Sequence, residues 1–350
     1  MLMLKIIWMT AVVLIALALL LWIALLIAHA VAKRRDEMVA VWSDLWMERL
    51  LDVLDGTHPP ETLPVPQSQG EMEAVIGLLR ELGERFRGSY GSRMSLVLNQ
   101  IQAADYGMKL LRSGRAENRI RGCALLAWCG PSEELDARLR KTLDDRDPRA
   151  VLEASAALVK RGSFDDIVTI LKSLCKSRAA KSLIARDVFR QWAEKETRDW
   201  SPLLSQQWTE DGWILLMEAS GAAARGEWTP LIARLVRHPS PSVVGSALVA
   251  LQALGDPEGA EAAQFACGHD RFQVRRQAVR TLVACGDPAV IPPLLGRLLM
   301  DESFEVRRAA MDGLLKLGWR ERMAVMEPED DWQRELFKEA GLREMQAIPS

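Results

Sequence analysis

Histidine and cysteine are the residue types in this chain that could ligate a metal or supply a nucleophile, and neither is clustered. None of the four histidines is followed by a glutamate; they are His29, His58, His238 and His269. Among the cysteines only Cys123 and Cys129 lie close together, without the further Cys or His ligands of a tetrahedral zinc site. The sequence also lacks a phosphate-binding glycine loop and a serine elbow. We therefore expect no catalytic residue, no cofactor, no metal and no small-molecule substrate.

Charge and cysteine usage exclude two further classes of protein. The formal net charge of the 350-residue chain is -2, which argues against a protein that holds nucleic acid mainly by bulk charge. The five cysteines are an odd number and are scattered, so a disulfide scaffold is disfavoured and a reducing compartment fits better. We interpret the cysteines as small core residues.

Tryptophan is concentrated in one stretch, where it could bind a partner. Five of the 12 tryptophans fall between residues 192 and 228; they are Trp192, Trp200, Trp208, Trp213 and Trp228. Tryptophan is enriched at interface hot spots, which favours a partner-binding surface. The alternative is that the large rings fill uneven gaps between poorly conforming helices. The sequence favours neither interpretation over the other.

Arginine side chains in the last third of the chain form a second candidate binding feature. Arg276, Arg280 and Arg308 could line a basic ridge for an acidic partner or for lipid headgroups. The alternative, which we favour, is a solvated face balanced by Glu302 and Glu305.

The first 32 residues are almost entirely apolar. Only Lys5, Thr10 and His29 fall outside the hydrophobic set. A helix over this stretch is long enough to cross a bilayer, with Trp8 at an interface and Trp22 facing lipid or a partner helix. Three cations follow it: Lys33, Arg34 and Arg35. They predict a single pass through a bacterial inner membrane, with the N-terminus outside and the rest of the chain in the cytoplasm.

A cleaved signal peptide is the alternative for this segment, because Ala28-His29-Ala30 resembles a cleavage site. The apolar run is longer than the core of a typical signal peptide, and the three cations oppose export. We therefore favour the uncleaved anchor.

An amphipathic helix is predicted directly after the anchor, ending near Gly56. Its apolar positions recur at spacings of three and four and include Trp42 and Trp46. The favoured interpretation is a helix that packs on the rest of the protein. The alternative is a helix along the bilayer or a membrane partner, with both tryptophans as anchors.

Most of the remaining chain repeats at intervals of 31 or 32 residues. The interval separates Val243, Val274 and Val306, and it also separates Gly255, Gly286 and Gly318. The register extends backwards to seven units, placed near residues 120, 151, 183, 214, 243, 274 and 306. The sequence of each unit predicts a helical hairpin. Its first helix ends at a glycine in the left-handed conformation, and its second helix begins after an Asp-Pro pair. Small residues at Ala247, Ala278 and Ala310 are expected where helices approach closely.

This periodicity predicts an all-α fold, because a lone hairpin cannot cover its own apolar face and neighbouring hairpins must stack. The units resemble HEAT repeats of the short type found in phycobilin-lyase-type proteins. The resemblance is carried by Asp270-x-x-x-Val274-Arg275-Arg276-x-Ala278 and by the segment from Asp301 to Ala310. It implies a right-handed α-solenoid with Asp270–Arg275 and Asp301–Arg307 pairs. Iron-binding HEAT-like hydroxylases carry His-Glu pairs, which are missing from this sequence.

The predicted organisation has six parts. They are a transmembrane anchor (1–32), a juxtamembrane amphipathic helix (33–56), a Pro-rich linker (57–70), a helical hairpin (71–116), HEAT-like repeats (117–320) and an acidic capping helix (321–350).

The function predicted from this organisation is that of a membrane-anchored scaffold or regulatory subunit. Its expected partners are membrane proteins and the lipid bilayer itself. By analogy, the membrane partner could be a glycosyltransferase or a polysaccharide synthesis or export system. The first alternative is a HEAT-like enzyme or cofactor-lyase accessory. The second is a HEAT-like nucleic-acid-binding protein, which the charge balance disfavours.

Overall fold

The computed structural model describes residues 2–85, 90–196 and 199–318 of the chain. These residues form helices and no strands, as the all-α prediction requires. The chain divides into two compact units, Met1–Arg138 and Leu139–Ser350. The predicted capping helix over 321–350 lies outside the described residues.

The first unit begins with one very long helix and continues with shorter ones. Its helices are α1 (Leu2–Asp55), α2 (Gln69–Arg85), α3 (Tyr90–Gln100), α4 (Ala103–Leu111) and α5 (Ala116–Leu126). The last third of α1 packs on α2 and α3 through four buried side chains, those of Trp46, Leu50, Val53 and Leu54. The helix ends before Gly56, which has a φ of +85° and is the stop residue that the sequence predicts.

The structure corrects the prediction of a membrane anchor. Residues 1–32 and 33–56 do not form separate helices, because α1 continues without a break to Asp55. Within the described residues, no helix has the combination of length and apolar character that a bilayer crossing demands. The predicted transmembrane helix is therefore wrong. The single-pass inner-membrane localisation and the orientation drawn from that helix are wrong with it.

The Pro-rich segment over 57–70 joins α1 to α2 and is held against the first unit. It contains a short 3₁₀ helix, Pro60–Thr62, followed by the buried side chain of Leu63. The carbonyl oxygen of Leu63 accepts a hydrogen bond from Gln100 Nε2 at 3.1 Å.

A variant of the capping box, in which the carboxylate reaches one residue further back, holds the start of α2 and its connection to α1. Ser68 Oγ accepts a hydrogen bond from the backbone N–H of Glu71 at 3.1 Å. The buried Glu71 carboxylate in turn accepts bonds from Gln67 N at 2.8 Å and from the indole Nε1 of Trp46 at 3.0 Å. Trp46 is thus tied to the interior of the first unit.

The remaining helices alternate between longer first helices and shorter second helices of successive hairpins. The first helices are α7 (Pro148–Lys160), α9 (Leu183–Lys195), α11 (Glu210–Ala223), α13 (Pro241–Leu254), α15 (Phe272–Cys285) and α17 (Phe304–Lys316). The second helices are α6 (Glu133–Thr142), α8 (Ile167–Lys176), α10 (Ser201–Leu204), α12 (Thr229–Arg234), α14 (Gly259–Ala266) and α16 (Pro292–Leu298).

The predicted register matches this succession. Each of the seven predicted unit positions lies in a different helix, in the order α5, α7, α9, α11, α13, α15 and α17. Two of these positions, Leu183 and Ile214, belong to units in which the sequence pattern is degenerate. The 31-residue interval therefore locates helices even where the individual motif residues are replaced.

The repeated small and β-branched residues form the core between successive first helices of the second unit. Val243, Val274 and Val306 are buried, and the alanines at the predicted close approaches, Ala247, Ala278 and Ala310, have no exposed surface. Helix α13 packs on α15, and α15 packs on α17. Each first helix therefore covers buried side chains of the first helix in the neighbouring repeat.

The repeated glycines do not all serve the same purpose. Gly255 and Gly318 have φ values of +64° and +75°, as predicted for helix stops. Gly286 instead has a φ of -84°, so the prediction of a left-handed conformation is wrong there. A Cβ at Gly286 would lie 2.5 Å from Ile291 Cγ2 and 2.7 Å from Leu282 O, so close packing explains this glycine.

Candidate interaction surface

The tryptophan-rich stretch forms an interior stack. The ring of Trp200 lies between those of Trp192 and Trp228, with centroid distances of 4.2 Å on both sides and interplanar angles of 22° and 19°. Phe189 adds an edge-on contact to Trp192 at 6.0 Å. All four of these rings are buried. Stacking at this separation joins three helical segments, because the tryptophans come from α9, from the residue before α10 and from the residue before α12.

The other two tryptophans of the stretch differ in exposure. Trp213 is buried in α11, whereas Trp208 is half-buried and its Nε1 donates to Leu203 O at 2.9 Å. The geometry thus favours the gap-filling interpretation for four of the five rings. Partner contact by these tryptophans stays a prediction. Of the five, Trp208 is the one whose side chain is partly exposed to solvent.

The arginines of the predicted ridge are partly used within the protein. Arg276 Nη1 pairs with Glu305 Oε2 at 2.6 Å, and Arg308 is half-buried. Arg280 is exposed. Glu302 also pairs with an arginine, Arg275, at 3.0 Å. The Glu305 pair fits the solvated-face interpretation, whereas Glu302 pairs with an arginine outside the predicted ridge. A role of the ridge arginines in binding stays a prediction.

Arg275 forms a buried polar connection between the last two described repeats. Its Nε and Nη2 donate to Asp301 Oδ2 and Oδ1 at 2.8 and 2.9 Å. Its Nη1 donates to the backbone oxygens of His269 and Asp270 at 2.8 and 3.1 Å. The expected Asp270–Arg275 side-chain pair is therefore wrong, because the aspartate of the following repeat supplies the carboxylate while Asp270 supplies its carbonyl.

A similar bridge occurs earlier in the second unit. Arg140 Nε donates to both oxygens of Asp166 at 2.9 and 2.8 Å, and the two residues are 26 positions apart, as are Arg275 and Asp301. Between these two bridges, Thr229 Oγ1 donates to Asp256 Oδ2 at 3.2 Å. Aspartates at the turns thus receive bonds from preceding segments at several places in the unit.

Two of the four histidines have a structural use in the turns before first helices. His238 Nδ1 accepts from Ser240 N at 3.1 Å, and His269 Nδ1 accepts from Arg271 N at 3.0 Å. The carboxylates of Asp145 and Asp301 accept from the residue two positions later in the same way, at 2.9 and 2.8 Å. The histidines therefore replace aspartates in one recurrent turn that precedes a helix. In the described residues, no group of three or more His, Cys, Asp or Glu side chains could hold a metal ion.

The residues predicted to contact a membrane lie along α1 in different environments. Trp8 and Trp22 are exposed, and so is Lys33. Trp42 is half-buried, and Trp46 is fully buried, so an anchoring role for Trp46 does not fit its place in the core. The side chains of Arg34 and Arg35 lie outside the described residues.

Sequence reasoning missed an exposed aromatic side chain on a second helix, that of Phe265 in α14. Its surface is 57% exposed, whereas Gly259, Ala263 and Ala266 of the same helix are buried at spacings of four and three. A signal was present in the sequence, because an aromatic residue that falls off the apolar stripe of a short helix must point away from the core.

Comparison with known proteins identifies the repeat type for one segment. Residues 228–315 match the family model of HEAT repeats. The matched segment runs from the last ring of the tryptophan stack into α17 and contains the Arg275–Asp301 bridge. The resemblance to HEAT repeats is confirmed for this part of the chain, and HEAT repeats are helical scaffolds for protein–protein interaction.

Among solved structures, two engineered proteins from the Northeast Structural Genomics Consortium show weak likeness. The first is 18% identical, with a TM-score of 0.30, and the match covers 62% of this chain and 96% of that protein. The second is 15% identical, with a TM-score of 0.34, and the match covers 71% of this chain and 80% of that protein. No curated protein matches the chain.

Proposed function

We propose that this protein is a helical scaffold or regulatory subunit that binds a protein partner through its HEAT-like repeats. The observation that supports this best is the match of residues 228–315 to HEAT repeats. In this segment the buried ion pair of Arg275 and Asp301 connects successive repeats, as a scaffold of stacked hairpins requires.

The surface of the second unit supports a binding role. Large apolar side chains are exposed on the helices and turns of the repeats, among them Phe265, Val290 and Met300. Aromatic side chains and methionine are enriched at protein–protein interfaces, which favours Phe265 and Met300 as contact points.

We propose further that the partner belongs to a membrane enzyme complex, with a glycosyltransferase or a polysaccharide synthesis or export system as the example. The support is the exposed apolar surface of α1, where Trp8, Trp22 and the leucines between residues 17 and 26 face outwards. An exposed apolar surface of this kind is typical of a protein-interaction site.

Affinity purification of the full chain from its native cells tests the proposal. The expected result is one protein partner in stoichiometric amount, retained after high-salt washing. Recovery of the chain without a stoichiometric partner in repeated preparations would overturn the scaffold role.

A further inference from the structure

A groove runs between two neighbouring second helices of the repeats, α12 and α14. Its volume is about 160 Å³, and its apolar lining includes Pro230, Ala233, Ala262 and Phe265. A cavity of about 150 Å³ accepts a benzene-sized group, so this groove has room for about one large apolar side chain. Every one of its lining residues belongs to the second unit.

Phe265 stands at one end of this groove and is held in place from the side. The guanidinium carbon of Arg237 lies 4.9 Å from the centroid of its ring. This cation–π contact, which is modest in strength at an exposed site, favours one position of the ring while more than half of the phenylalanine surface stays exposed. An aromatic ring that is positioned but uncovered is the kind of group that becomes a hot spot when a partner covers it.

Charges of opposite sign are separated along the groove. Arg234 and Arg237 come from the end of α12 and the 3₁₀ turn after it, and Arg237 lies at the Phe265 end. Glu258 and Glu261 come from the start of α14, so Glu258 is about two helical turns, or ~10 Å, from Phe265. In the described part of the chain, none of these four side chains forms an ion pair.

Helix-end electrostatics explain part of this arrangement. Each arginine lies near a helix C-terminus and each glutamate near a helix N-terminus, where such charges are favourable. These local effects do not explain why the apolar lining and Phe265 between the charges remain uncovered.

We infer that this groove docks an amphipathic helix of the protein partner, an inference that rests on the scaffold function proposed above. Helical recognition is favoured because the groove is bounded by helices, and the described residues offer no strand edge for an extended peptide. The docked helix places an apolar anchor against Phe265 and the alanines. An acidic residue faces Arg237, and a basic residue about two turns later faces Glu258.

The direction of the docked helix follows from the same charges. Acidic residues are favoured in the first turn of a helix and basic residues in the last. The N-terminal end of the partner helix therefore lies at Arg237 and its C-terminal end at Glu258. This direction is antiparallel to α14, which begins at the glutamates and ends beside Arg237.

Site-specific photocross-linking in the full chain tests this inference. The probe is p-benzoylphenylalanine in place of Phe265, and the control carries it at Val249, which is similarly exposed (49%) but lies on α13. The expected product at position 265 is a peptide of another protein with the acidic–apolar–basic pattern at helical spacing, and the product is weak or missing at position 249. Cross-linking at 265 to lipid, to nucleic acid, to a second copy of this chain, or not above position 249, overturns the docking site.

A synthetic peptide of the cross-linked segment then tests the roles of the groove residues. Phe265→Ala in the full chain is expected to weaken peptide binding about 30-fold or more, while Val249→Ala leaves it unchanged. Arg237→Glu is expected to weaken binding and to be compensated when the acidic residue of the peptide is replaced by lysine. Equal affinity of Phe265→Ala and the wild type, at equal urea midpoints of unfolding, contradicts the inference.

The two proposals fail in distinguishable ways. A stoichiometric partner in the purification, together with no cross-link at 265, leaves the scaffold function standing and removes the groove as its site. No partner in the purification and no protein cross-linked at 265 overturns both proposals.

Discussion

The guanidinium group of Arg275 forms two hydrogen bonds with the carboxylate of Asp301, which belongs to the next repeat. Both side chains are less than 10% exposed. The other N–H groups of Arg275 are used by the carbonyl oxygens of His269 and Asp270 and by the exposed carboxylate of Glu302. The bridge therefore fixes one repeat against the next through a buried, fully bonded ion pair.

Removing one member of this bridge is expected to destabilise the protein strongly. Asp301→Ala removes the buried carboxylate and leaves the Arg275 charge with only the exposed carboxylate of Glu302, which is expected to cost about 3 kcal/mol. The free energy of unfolding, measured by urea denaturation of the full chain, checks this value. The matched control is Glu305→Ala, which removes the more exposed pair with Arg276 and is expected to cost ~1 kcal/mol or less. Equal losses in the two variants would contradict a special role of the buried bridge.

The same bridge makes stability depend on pH. Burial raises the pKa of the Asp301 carboxyl, but hydrogen bonds from Arg275 and from Ser303 N, and the charges of Arg275 and Arg307, outweigh burial and lower the pKa overall. Since the pKa in the folded state lies below the value of about 3.9 in the unfolded state, the stabilisation is present above about pH 4 and is lost as the pH falls further.

The pH dependence can be assigned to Asp301 with one variant. Asp301→Asn cannot ionise, so the difference in unfolding free energy between wild type and variant is expected to shrink as the pH falls below about 4. Urea denaturation at a series of pH values measures it. A difference that stays constant across this range would show that Asp301 contributes nothing through its charge.

The repeat architecture could be predicted because the residues that stop and pack helices recur at a fixed interval. Valines and alanines mark buried positions of the first helices, and the interval carries the register through the degenerate units near Leu183 and Ile214. The partner of Arg275 could not be predicted, since periodicity places an aspartate in every later repeat without saying which one the arginine reaches.

The course of α1 was mispredicted for a different reason. Three successive cations, Lys33 to Arg35, look like the edge of an anchor, but lysine and arginine are good helix formers and provide no stop signal. The capping box of Ser68 and Glu71 was the clearer local signal, because it marks the next helix start after Gly56.

A position in a degenerate repeat carries a conformational cost that glycine would remove. Ala224 has a φ of +51° at the end of α11, 31 positions before Gly255, which has a φ of +64° at the end of α13. A left-handed conformation costs a residue with a Cβ roughly 1–2 kcal/mol. Ala224→Gly is therefore expected to stabilise the protein by about 1 kcal/mol, measured by urea denaturation.

The control for this variant is Ala253→Gly in the last turn of α13, where the backbone is helical. Glycine there is expected to destabilise by about 0.5–1 kcal/mol. Opposite signs for the two substitutions support the assignment. Destabilisation by both would mean that the left-handed conformation at Ala224 carries no cost that glycine can remove.

The tryptophan stack predicts a spectroscopic and an energetic effect of one substitution. Rings 4.2 Å apart couple their excited states, so the wild type is expected to show an exciton couplet in far-ultraviolet circular dichroism. Trp200→Ala removes the central ring; it is expected to abolish the couplet and to cost about 3–5 kcal/mol of unfolding free energy.

Trp208→Ala is the matched control, because Trp208 belongs to the same stretch but is half-buried and outside the stack. It is expected to leave the couplet in place and to cost less than Trp200→Ala. A couplet that survives in Trp200→Ala, or disappears in Trp208→Ala, would place the coupled rings elsewhere.

Thiol reactivity tests the burial of the cysteines in the second unit. Burial, with a smaller effect of the Asp301 charge, raises the pKa of the Cys267 thiol to about 12; burial and the Asp256 charge raise that of Cys285 to about 11. Since only the thiolate reacts, both should be alkylated by iodoacetamide far more slowly than an ordinary thiol with a pKa of about 8.5. Cys175 is half-buried, its pKa is raised by burial to a smaller extent, and it should react first.

Mass spectrometry of the alkylated peptides gives the order of reaction. The control is urea-unfolded protein, in which all sites should react at similar rates. Alkylation of Cys267 before Cys175 in the folded protein would contradict the packing of α14 against α15.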